Sequence, residues 1–276
     1  MRMRWVVVLA MLGGPPGWAQ EPALRAGVLA EAAPFVLRDS QGRLTGFTVE
    51  LFRRVAEIMR RPIEFRTAPQ PALFQGLESG EYDLLPGPIN ATPDRAAAML
   101  LTEGYVWSEY QFGARADEPV RSLADLRGRR LAVRSGSAYA DWAERNAARD
   151  GFSVIEAGSG MAAVTAVVRH QADASLSGSP VQTYAALHEA RYAAGLLLPE
   201  TRTHESAAVR KSDVELRDEV EDALQCLKMN GTVAHLAKFW FGREPDQEDL
   251  ENLVVPGYGV PGLAGYDPKP RKPHCP

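Results

Sequence analysis

The chain has 276 residues, of which 45% are hydrophobic and 24% charged, with a formal net charge of -4. That is ample apolar material for one large or two medium cores, and it excludes a chain too polar to fold. The mild acidity argues against nucleic acid, which calls for basic stripes interleaved with aromatic residues.

In chain order, Arg2 and Arg4 precede the apolar run WVVVLAML, and a small-x-small site follows at Gly17, Trp18 and Ala19. The run is far shorter than the ~20 residues of a membrane span, so residues 1–19 read as a signal peptide cleaved after Ala19. Removal of Arg2 and Arg4 takes the charge from -4 to -6. No later segment is long and apolar enough to span a bilayer, and the mature chain is expected to be exported, soluble and monomeric by default.

Strands and helices then alternate. LRAGVL reads as a strand, FTVELFRRVAEIM (47–59) as an amphipathic helix, PIEFRTA (62–68) as a strand, residues 72–79 as a helix and 82–85 as a strand. DLLPGPINATPDR (83–95) then reads as strand, tight loop and helix start. Thr92 is a good N-cap, Pro93 suits the first helical position and Asp94 complements the helix dipole. Arg95 falls in the first turn, beside Asn90 and the amides of a loop that starts at Gly87 and Pro88. A planar guanidinium there can hold a carboxylate through two parallel hydrogen bonds. The bland alternative is a surface arginine near a capped helix.

After the strand-like run YVWSEYQFGAR (105–115), a second strand, RRLAV, leads through Ser135, Gly136 and Ser137 into a helix from Ala138. Unpaired amides at such a helix start also suit an anion. FSVIEA, the helix 161–170 and ADASLS continue the alternation, and helices close the pattern at 215–229 and 232–241. Two α/β units in succession, each with an anion-type loop, imply two lobes.

Cys226 lies in a helical run and Cys275 in a Pro- and Gly-rich tail, residues 245–276. In an oxidising compartment a bridge between them would tie the tail down and contribute roughly 4 kcal/mol on the loop-entropy model. Two free thiols is the alternative. His274 beside Cys275 has no further ligands at zinc spacing, so no metal site is expected. Histidines 170, 188, 204 and 235 show no pairing with a nucleophile, and no Walker, GxSxG or dinucleotide fingerprint occurs, so no cofactor is expected. Tyr105, Trp107, Tyr110 and Phe112 alternate as core packing does. Phe35 is a candidate apolar wall for a ligand, and Gln70, between a strand and a helix, a candidate polar contact.

The order of these segments resembles the periplasmic extracellular solute-binding proteins, family 3, of polar amino acid ABC transporters. Pro34 and Phe35, GFTVELFRRVAEI, YDLL, TPDR, TEGYVW, LRGRRLAVRSGS, AVRKSD, NGT and FWFG carry the likeness to about Gly242. The resemblance implies an α/β, two-lobed periplasmic-binding-protein fold (type II) with a discontinuous first lobe. Lobe 1 would take residues 20–112 plus 206–244, and lobe 2 residues 113–205. Two hinge strands would lie near residues 110–115 and 203–210, with a solute bound in the cleft. In that family the arginine matching Arg95 grips the ligand carboxylate, helped by the residue at Asn90 and by backbone amides matching Gly136, Ser137 and Ala138.

Three departures bear on the ligand. The aspartate that usually holds the α-ammonium group is replaced by Gly178, Pro88 stands for a glycine or serine, and Ala32 for an aromatic lid. A carboxylate that need not carry an ammonium group, in a pocket more open than usual, is therefore expected, delivered to a membrane ABC permease. Two alternatives stay open. One is an accessory protein of a periplasmic quinoprotein dehydrogenase with a degenerate cleft. The other is a dehydratase like the periplasmic cyclohexadienyl dehydratases, which would need a carboxyl of raised pKa near Arg95, with Glu103 and Glu205 only distant candidates.

Overall fold

Apolar residues at 47, 51, 52 and 55 place one face of the helix Phe47–Ile58 (α1) in a core, and its charged residues 53, 54 and 57 outside. Gly46 opens that helix at φ 115°, and a Cβ there would stand 2.4 Å from the Phe35 carbonyl, so glycine is required. The structure is a computed structural model that describes residues 22–242, 244–270, 273 and 275. The leader and His274 lie outside the described residues.

The strands are Leu24–Val28 (β1), Leu37–Arg38 (β2), Leu44–Thr45 (β3), Ile63–Thr67 (β4), Leu84–Asn90 (β5), Leu100–Leu101 (β6), Val106–Arg115 (β7), Arg130–Arg134 (β8), Ser153–Ala157 (β9), Ala174–Gly178 (β10) and Tyr192–Val209 (β11). The remaining helices are Gln70–Ser79 (α2), Pro93–Ala98 (α3), Ala138–Asp150 (α4), Gly160–Val168 (α5), Ser179–His188 (α6), Val214–Met229 (α7) and Thr232–Phe241 (α8). The main sheet runs β4-β1-β5-β11-β7-β10-β8-β9, with β6 also on β11 and β2 paired with β3 apart from it. At its two outer parts β1 lies parallel to β4 and β5, and β8 parallel to β9 and β10. Helical crossovers join those parallel strands, as two βα units require.

Buried apolar residues sort into separate cores. One holds residues between Val28 and Val106 together with Ala207 to Val260; the others hold only residues between Tyr110 and Tyr192 or Leu198. The first lobe is therefore discontinuous, and only β7 and β11 run through both. Tyr110 pairs with Gly178 and Ala114 with Ala174, which puts residues 110–114 inside lobe 2. The crossing lies a few residues earlier than the boundary expected after 112, because buried and half-buried positions alternate along β7 from Val106 to Phe112 with no break at the junction. Between Leu198 and Thr203 the ladder from β11 to β7 is interrupted. There the Tyr110 amide donates to the Thr201 hydroxyl at 2.8 Å.

The tail is an ordered arm on lobe 1. Leu250 and Glu251 are fully buried and Val255 and Val260 nearly so. The Gly259 amide donates to the Glu221 carboxylate at 2.7 and 3.0 Å, Gln225 to the Val255 carbonyl, and Arg217 to the Gly265 carbonyl at 2.9 Å. A disulfide joins Cys226 of α7 to Cys275 across 49 residues. Closing a loop of that length stabilises the fold by about 4 kcal/mol if chain entropy dominates.

Candidate functional site

The C-terminal ends of β5 and β8, the end of β10 and the crossing strands converge on one cavity. Its lining comes from lobe 1 through Ala32, Ala33, Phe35, Pro88 and Asn90, and from lobe 2 through Arg134, Tyr139, Gly160, Ser177, Gly178 and Val181, with Glu205 between them. A water-sized sphere can centre itself over only about 20 Å³, close to the room one water needs. The pocket is thus narrow where an open one was expected, since the Arg134, Tyr139 and Glu205 side chains occupy it.

Expected site residues fall in three groups. Phe35, Pro88, Asn90 and Gly178 line the cavity. Gln70 and Gly87 line a neighbouring smaller one with Pro88 and Phe74, and the Gln70 Oε1 is buried there with no hydrogen-bond partner among the described residues. Arg95, Gly136, Ser137 and Ala138 are not among the residues that line the cavity, although Arg95 lies within the field of Glu205. Arg95 donates to the Asn90 carbonyl at 3.2 Å and lies 5.4 Å from the Phe74 ring centre. Ser137 caps α4, accepting from the Ala140 amide at 3.2 Å, and Gly136 sits against Pro71 of lobe 1, so the lobes touch there.

Residues 87–90, expected as a loop, belong to β5, where Asn90 pairs with Glu205 and Ile89 with Ser206 across an irregular register. Gly87 has φ 95°, and a Cβ would meet the Ser206 carbonyl and the Tyr105 hydroxyl at 2.5 Å. Tyr105 and Phe112 are core residues, the former donating to the Pro86 carbonyl at 2.9 Å. Trp107 packs beneath Arg202, 4.3 Å from its ring centre, in a separate groove.

Asn90 Nδ2 donates across the cleft to the Tyr139 hydroxyl at 3.2 Å and to Glu205 Oε1 at 3.0 Å. Glu205 is 3% exposed, and burial lifts its carboxyl to about 7, against the opposing charges of Arg95 and Arg134 and the hydroxyls of Ser108 and Tyr139. Burial lowers both guanidinium pKa values and raises that of Tyr139. Glu205 is therefore no distant acid: it is the carboxylate that lines the cavity. Glu103 lies elsewhere, paired with Lys228.

Arg134, Tyr139 and Ser177 are cavity residues that the sequence reading did not single out, and Glu205 entered it only as a distant candidate acid. Arg134 had a signal, since it ends a strand directly before the SGS loop, where α/β folds gather ligand groups. Glu205 had a fainter one, a lone acid before the small apolar run SAAV. No group of three or more metal-ligating side chains occurs among the described residues.

The missing aspartate at 178 is explained by space. A Cβ on Gly178 would lie 2.4 Å from Ser108 Oγ and 2.6 Å from the Tyr139 hydroxyl. Gly178→Asp is expected to lose about 1–3 kcal/mol through overpacking, read by thermal unfolding. Unchanged stability would show that those hydroxyls do not fill the position.

Fold and site define a two-lobed solute-binding protein whose cleft lies between the lobes. The chain belongs to the bacterial extracellular solute-binding proteins, family 3, whose family model matches residues 24–243. It is 26% identical over 229 residues to a probable amino-acid ABC transporter-binding protein of Haemophilus influenzae, covering 81% of this chain and 86% of that one. The amino-acid-binding protein AabA of Dichelobacter nodosus is 28% identical over 214 residues, covering 76% and 85%. Among solved structures, an ancestral arginine-binding protein bound to arginine superposes with TM-score 0.75 at 23% identity, covering 81% of this chain and all of that one. An ancestral amino acid-binding protein described as a precursor of cyclohexadienyl dehydratase gives 0.74 at 25%, covering 79% and 95%. No helix among the described residues is long and apolar enough to cross a membrane.

Proposed function

We propose that the chain is an exported receptor that captures a small carboxylate-bearing, amino-acid-like solute between its lobes for an ABC-type permease. The observation that supports this most is the cavity between the lobes, bridged from Asn90 to Tyr139, with a half-buried arginine on each side. Arg95 is the carboxylate anchor, helped by Asn90 and the amides of Gly136, Ser137 and Ala138. A ligand that touches both lobes binds the closed arrangement better than the open one and so holds it.

Thermal unfolding of residues 20–276 against amino acids and their des-amino counterparts tests this, with Arg95→Ala as control. A ligand at 100 times its dissociation constant stabilises by about 2.7 kcal/mol, roughly 5–10 °C for a chain of this size. The expected result is a shift with carboxylates that disappears in Arg95→Ala. Silence across the panel would remove the receptor reading and leave the accessory role.

Glu205 favours one second reading. A buried carboxyl that keeps its proton to about 7 within the field of Arg95 meets the requirement for a dehydratase's general acid. Release of an aromatic product from a cyclohexadienyl carboxylate, lost in Glu205→Gln, would support it. Absence of turnover would dismiss it.

A further inference from the structure

The cleft holds more positive charge than one carboxylate would balance. Arg134 leaves the end of β8 in lobe 2 and lines the same cavity as Pro88 and Asn90 of lobe 1. Its Nε is buried with no hydrogen-bond partner among the described residues. Arg95 approaches from lobe 1 and spends one bond on the Asn90 carbonyl. The two guanidiniums are close enough for Arg95 to disfavour the charge on Arg134. Glu205 is the acid lining the cavity, and its Oε1 accepts from Asn90. Gly178 brings no carboxylate, and the hydroxyls of Ser108 and Tyr139 fill the space one would need. Arg134 in the cavity wall and Arg95 near it thus share a single lining carboxylate, in a site with little water to screen them.

Resting on the reading of this cleft as a carboxylate receptor, we infer that Arg134 is a second anion anchor and that the preferred solute is a small dicarboxylate. One carboxylate is held by Arg95 on lobe 1. The other meets the free side of Arg134 on lobe 2. A dianion bridging the two relieves their mutual repulsion and ties the lobes together, whereas a monocarboxylate leaves one half-buried guanidinium uncompensated.

Isothermal titration calorimetry of residues 20–276 at low ionic strength tests the assignment, with succinate against butyrate and glutarate against pentanoate. Wild type is expected to bind each dicarboxylate at least about tenfold more tightly than its monocarboxylate partner. Arg134→Gln is expected to weaken dicarboxylate binding at least about tenfold more than monocarboxylate binding, which removes the preference, and Arg134→Lys restores part of it. Equal affinities in wild type, or equal weakening of both classes by Arg134→Gln, would overturn the inference and leave the receptor reading standing. Binding of neither class would overturn both. Should Arg134→Gln fail to fold, by circular dichroism, the wild-type comparison and Arg134→Lys still decide.

Discussion

At pH 8 the Glu205→Gln variant is expected to be about 3 kcal/mol more stable than the wild-type chain, and the gap is expected to close toward pH 4. In the unfolded chain the Glu205 carboxyl loses its proton near 4.3; in the fold it keeps the proton to about 7 because burial disfavours the charge. The folded pKa is the higher one, so folding takes up a proton between those values. Stability attached to this group is complete below about 4.3 and is lost as the pH rises through about 7. Glutamine keeps the acceptor for Asn90 and carries no charge at any pH. Urea unfolding of both proteins from pH 4 to 8 gives the difference directly, since other titrating groups cancel between them. A gap that stays constant with pH would show that Glu205 ionises normally in the fold.

Replacing Lys228 by methionine should cost about 3–5 kcal/mol, the penalty for leaving a buried charge without its partner. Lys228 Nζ lies 3.1 Å from Glu103 Oε1 and donates to the carbonyls of Gly104 at 2.6 Å and Leu253 at 3.0 Å, with both side chains fully buried. Glu103 also accepts from the Val255 amide at 3.2 Å and from Gln225 at 3.3 Å. One ion pair therefore fastens α7, the approach to β7 and the tail together. Adding Glu103→Gln to Lys228→Met removes the orphaned charge while keeping an acceptor for Val255, and should recover more than half of the loss. Chemical denaturation of the two single variants and the double gives the coupling energy. A loss under about 1 kcal/mol for Lys228→Met would mean that water reaches the pair.

Elements with a strong local signature were legible in the sequence. Thr92 accepts from the Arg95 amide, as its position before Pro93 requires, and the helix at Ala138 starts behind a capping Ser137. The bridge between Cys226 and Cys275 followed from compartment and composition. Charges brought together by the crossing of two long strands were not legible. Glu205 stands 115 residues from Asn90 and 71 from Arg134 in the chain, and nothing near any of them announces the others. The hinge was displaced for a related reason: a strand that belongs to two cores keeps one apolar rhythm throughout, so the pattern carries no mark where one core hands it to the other. The narrow cavity was missed because the small residue Gly178 reads as vacant space, whereas Tyr139 and Ser108 reach in from other segments to occupy it.

The break in the ladder between Leu198 and Thr203 gives the molecule a mechanical axis. Where the ladder is regular, β7 and β11 are held together by main-chain bonds. At this point the link from Tyr110 to the opposite strand runs through the Thr201 hydroxyl, which swivels about a single bond and itself reaches the Leu198 carbonyl at 2.6 Å. At this joint the strands are linked by a side chain that can be re-aimed, rather than by the sheet's own main-chain bonds.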